Sequence, residues 1–119
     1  MTARPAMMQR AQLVLSFSPN PVYRNHRSDT KWYFDVLLQE LNGSGVTLQR
    51  LQALWITEQG QVQDQLEEPV SIAIRPHEQA LFPELWVSSS LRRFTYRMLL
   101  TGFDDAGHPV GVEGDLCCR

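Results

Sequence analysis

Three observations predict an all-β fold, an antiparallel β-sandwich of about seven strands. Large apolar residues recur at every second position, turn signals separate the alternating runs, and no segment carries a convincing helical stripe. At 119 residues the chain has the size of one domain. Such a length buries roughly two-thirds of the surface that the unfolded chain exposes, so neither a metal nor a disulfide is needed to hold it.

Leu13, Leu15 and Phe17 share one face of a first strand, which Pro19-Asn20-Pro21 ends because proline cannot donate to a ladder. Residues 31–41 alternate most clearly, with Trp32, Phe34, Val36 and Leu38 against Tyr33, Asp35, Leu37 and Gln39. Asn42-Gly43-Ser44-Gly45 follows and Val46 and Leu48 resume the alternation, so 31–41 and 46–56 read as the arms of a hairpin. Leu48, Leu51 and Trp55 would also line a helix. The strand-favouring Val46, Thr47, Ile56 and Thr57 make the strand the better reading, with a bulge near Arg50 to absorb a change of phase. Residues 61–68 are polar and read as an edge strand or a long loop, and Val70, Ile72 and Ile74 alternate up to Arg75-Pro76. Residues 77–90 cross over, with a short strand near 84–88. Phe94, Tyr96, Met98 and Leu100 mark a long strand, Asp104-Asp105-Ala106-Gly107 a turn, and 109–112 a last short strand. Residues 1–10 and 115–119 are expected to be tails around a domain at 11–114. The expected core is Leu15, Phe17, Trp32, Phe34, Val36, Leu38, Ile72, Phe94, Tyr96 and Met98.

Composition narrows the function classes. Eleven basic against thirteen acidic side chains give a formal charge of −2, which disfavours a strongly electropositive nucleic-acid binder. No run approaches the eighteen apolar residues of a transmembrane helix. A secretory signal is not expected, because the apolar run at 11–17 is short, is broken by Gln12 and has no small-residue cleavage site. Cys117 and Cys118 are adjacent, which suits neither a zinc knuckle nor an ordinary disulfide, and they read as thiols on the C-terminal tail.

Several segments together resemble a bacterial immunoglobulin-like module found in large surface or exported proteins, notably of acidobacteria. The resemblance rests on Phe17-Ser18-Pro19-Asn20-Pro21-Val22, Trp32-Tyr33-Phe34 leading to Leu38-Gln39-Glu40, and Gly43-Ser44-Gly45-Val46-Thr47-Leu48. Leu91, Phe94 and Thr101-Gly102-Phe103-Asp104-Asp105-Ala106-Gly107 complete it. It spans roughly residues 13–112 and implies an immunoglobulin-like sandwich used for adhesion, spacing or protein contact, with no catalytic residues and no cofactor.

The residues themselves agree that reaction chemistry is not encoded. There is no nucleophile elbow, zinc-protease motif, phosphate loop or dinucleotide fingerprint. His26, His77 and His108 have Asp29, Glu78 and Asp104 or Asp105 near them in sequence, but the spacing imposes no metal site, and loop histidines in solvent are expected. Ten of the eleven basic residues are arginine, a residue suited to bidentate carboxylate contacts and protein interfaces. The expected function is therefore a non-catalytic protein-docking module, an accessory or structural subunit of a larger assembly. Its partner would be another protein and not nucleic acid, with Tyr23, Arg24, Arg27, Tyr33, Trp86, Arg93 and Arg97 as candidate contacts. The alternative is an extracellular carbohydrate- or surface-binding module that stacks its ligand on Trp86 or Trp55.

Overall fold

A computed structural model describes residues 10–24 and 30–119. Seven strands follow in order: β1 (Leu13–Ser18), β2 (Lys31–Glu40), β3 (Val46–Ile56), β4 (Val62–Ile74), β5 (Gln79–Ser88), β6 (Phe94–Asp104) and β7 (Pro109–Cys118). They form two antiparallel sheets, a three-stranded one of order β1-β2-β5 and a four-stranded one of order β4-β3-β6-β7. This is an antiparallel β-sandwich in which the fourth strand sits beside the third rather than the fifth.

The alternating residues build the core as the physics requires. Trp32 and Leu38 are wholly buried, and Leu15, Phe17, Phe34, Val36, Phe94, Tyr96 and Met98 are buried with them. Removing these side chains from water supplies most of the driving force, roughly 1.5–3 kcal/mol each. Trp32 packs edge-on against Phe94 across the sandwich at 4.9 Å, and Phe34 meets Phe17 at 5.7 Å. Ile72 is half-buried, because β4 lies at the border of the four-stranded sheet and extends past the cover of the other.

The 46–56 segment is a strand, and the register of β3 shifts between Leu48 and Arg50, where a bulge is expected. Gly102 of β6 stands opposite Leu48, and a Cβ there would collide with the backbone of Thr47 and Leu48. Glycine is thus required where the bulged strand leans onto its neighbour.

Three expectations are corrected, and one open alternative is decided. The 31–41 and 46–56 segments are not a hairpin: β2 and β3 belong to opposite sheets, and residues 41–45 bridge between the layers. Alternation reports faces, not neighbours, so two strands with inward apolar faces look alike whether they pair or oppose. Of the two readings of residues 61–68, the edge strand holds: from Val62 they belong to the outermost strand, β4, whose exposure on both sides erased the alternation. The strand expected at 84–88 begins at Gln79, and Pro83 with Glu84 (φ 58°) forms an irregularity within it. The C-terminal tail is also displaced, because β7 continues to Cys118 with Leu116 and Cys118 buried. Gly111 and Gly114 dilute the hydropathy of that strand, and Gly114 leaves room for Leu15 and Phe17 of β1.

Candidate functional site

The seven candidate contact residues fall in three places, apart from Arg27, which lies outside the described residues along with His26 and Asp29. Tyr33 and Trp86 come together. They are cross-strand partners on β2 and β5, and both point outward from the three-stranded sheet. Trp86 is 53% exposed, and the Lys31 ammonium lies 4.4 Å from its ring centre. The same face carries Leu37 opposite Leu81, which is 58% exposed, and Val14 of β1. A depression of about 500 Å³ beside Tyr33 is lined by Ser18, Pro19, Asp35 and Glu84.

Tyr23, Arg24 and Arg93 gather at the pole where β1 ends and β6 begins. Arg24 donates its backbone N–H to the Arg119 carbonyl at 2.9 Å and holds its guanidinium 5.8 Å from the Trp32 ring. Trp32 donates its indole N–H to the same carbonyl at 2.9 Å, which seats the chain end on the core. Tyr23 and Arg93 are exposed. Arg97 is elsewhere, on the outer face of the four-stranded sheet. There it forms a bidentate pair with Asp115 at 2.8 and 2.9 Å, which holds the Asp115 carboxyl below its ordinary value. A second cross-strand pair, Arg50 with Glu67, decorates that face. Arg97 is satisfied within its own sheet and is not a free contact.

Trp55, the other stacking platform considered, is half-buried. It packs on Tyr96 at 5.1 Å and donates its indole N–H to the Ser88 carbonyl, so it ties the two sheets together. The two cysteines point to opposite faces of β7. Burial, and secondarily Cys117, pushes the Cys118 thiol up to about 12.

The opposite pole is held by two buried carboxylates, Asp104, which the sequence places near His108, and Glu40, whose role the sequence does not show. Glu40 is a buried carboxylate that accepts backbone N–H bonds from Gln12, Asn42, Gly43, Ser44 and His77 at 2.6–3.1 Å. Burial opposes its ionisation, but those amides outweigh the penalty and hold it down to about 2. Asp104 does the same for the β6–β7 turn, accepting from the Ala11, Ala106 and His108 amides and meeting the His108 ring at 3.0 Å. Burial again opposes ionisation and is again outweighed, so its carboxyl is also lowered to about 2. Each carboxylate pins loops rather than facing a ligand. Nothing in the sequence marks Glu40, because its amide partners come from three separate segments. Among the described residues no three His, Cys, Asp or Glu side chains gather as a metal site.

No family model and no curated protein matches this chain. Among solved structures, the X-ray structure of Northeast Structural Genomics Consortium target SoR45 is similar, with a TM-score of 0.61 at 9% identity over 92% of this chain and 88% of that one. At that identity the likeness speaks for the β-sandwich fold and for nothing further.

Proposed function

We propose that this sandwich is a non-catalytic protein-docking module, an accessory or structural subunit of a larger assembly, and that its partner seats on the outer face of the three-stranded sheet. The observation that carries this reading is the exposed Tyr33–Trp86 pair, with Leu81 and Val14 on the same face. The two outer faces differ in their ion pairing, although the four-stranded sheet also exposes Phe103. The four-stranded sheet covers its outer face with the Arg50–Glu67 and Arg97–Asp115 pairs, as a solvated surface does. The three-stranded sheet presents rigid aromatic and aliphatic groups, with Lys31 flanking them. Aromatic anchors on a flat, rigid support are the usual centre of a protein interface. The resemblance to immunoglobulin-like modules of surface and exported proteins favours the same reading.

The test is to isolate the native partner complex and measure its affinity with Tyr33→Ala/Trp86→Ala. The docking reading expects a loss of about tenfold or more, as for a central aromatic anchor. Unchanged affinity overturns it. Saturable binding to glycans, abolished by Trp86→Ala, would instead support the carbohydrate-binding alternative.

A further inference from the structure

The pole next to the Tyr33–Trp86 face concentrates positive charge. Arg24, Lys31, Arg92, Arg93 and Arg119 all lie there, and none forms an ion pair with another described residue. Their proximity follows from the pairing. Phe94 is opposite Cys118, so Arg93 adjoins Arg119, whose carbonyl accepts the Arg24 amide. Lys31 is opposite Ser88, at the head of the loop that carries Arg92. Glu58 is the carboxylate that shares a hollow with Arg93 and Arg119. Five cations without an ion pair among the described residues, at one end of a chain whose formal charge is −2, make a polarised molecule.

We infer that this pole receives an acidic segment of the partner protein, a deepening that rests on the docking reading above. Four of the five cations are arginines, whose planar forks match carboxylates bidentately. Exposed Tyr23, on the same pole, and Trp86, beside Lys31, supply aromatic contact surface next to the charge. The distribution favours a compact acidic segment over a phosphate polymer. The cations cap one end of the molecule and do not run along it, while Asp64, Glu67, Glu68 and Glu113 lie along the strands of the four-stranded sheet and repel a polyanion laid there.

The probe is a labelled deca-glutamate peptide, titrated by fluorescence anisotropy at low and at physiological salt. Saturable binding that weakens with salt is expected, and Arg92→Glu/Arg93→Glu should weaken it about tenfold or more. The charge-matched control Arg50→Glu/Arg75→Glu should change it less than about twofold. Thermal unfolding of each variant verifies that the fold is kept. Absence of saturable binding, equal losses in both variants, or oligothymidylate bound about tenfold more tightly than deca-glutamate overturns the inference. The two claims separate on the native partner. If Tyr33→Ala/Trp86→Ala weakens its binding while Arg92→Glu/Arg93→Glu does not, docking stands and the acidic-segment assignment falls.

Discussion

Single residues divide here into those that hold the sandwich and those that face outward. Trp32 has no exposed surface, packs on Phe94 and donates its indole N–H to the Arg119 carbonyl. Truncation to alanine is expected to cost about 3–5 kcal/mol, measured by chemical denaturation. Trp86→Ala removes a ring that water already reaches, and its effect on stability should stay within about 1 kcal/mol. Glu40 is the polar counterpart of Trp32. Glu40→Ala orphans five backbone amides, and a loss of about 2–4 kcal/mol is expected. Its pH signature has a definite sign. A carboxyl lowered from 4.5 to about 2 on folding contributes stability that is fully present above pH 4.5 and is lost as the pH falls toward 2. Asp104, lowered from 3.8 to about 2, acts in the same direction. Acid titration followed by circular dichroism should therefore show stability falling across that window, and Glu40→Gln should flatten the fall.

At the scale of elements, the strands most legible in sequence are those with one buried and one wet face. In β1, β2 and β6 the alternation of Leu15 and Phe17, of Trp32 to Leu38 and of Phe94 to Leu100 is intact, and each was readable to within a few residues. β4 was blurred because nothing covers its 62–69 half, and β7 because glycines stand where larger side chains would have marked the face. The pairing of β2 was unreadable for a different reason. Its partners β1 and β5 are fixed by how the layers close, and the residues of 42–45 look the same in a hairpin turn and in a crossing between sheets. The candidate site shows the same limit. Exposed aromatics could be named from the sequence, but only the register puts Tyr33 opposite Trp86, and only the fold gives Arg97 its Asp115. Gly102 gives an element-scale prediction. Gly102→Ala forces a methyl group into the Thr47 backbone at the β3 bulge, and denaturation should show a loss of about 1–3 kcal/mol or more. Gly60→Ala, in a turn with open space around it, carries only the strain of its positive φ and should cost less.

The whole molecule is long, with extents of 63 × 25 × 22 Å, and its surface is asymmetric. One sheet face carries two ion pairs together with the exposed Phe103, the other carries Tyr33, Trp86, Leu81 and Val14, and one pole is basic. The open borders of the sheets are interrupted by Pro69 in β4 and by Pro83 with the Glu84 irregularity in β5, which limits adventitious strand pairing. Docking through the face of the three-stranded sheet is thus the central claim. Its most direct test is amide hydrogen exchange with and without saturating native partner. The account predicts slowed exchange at Lys31–Gln39 and Gln79–Ser88, with Thr95–Phe103 and Pro109–Asp115 unchanged. Protection confined to β6 and β7, or protection nowhere, would contradict it.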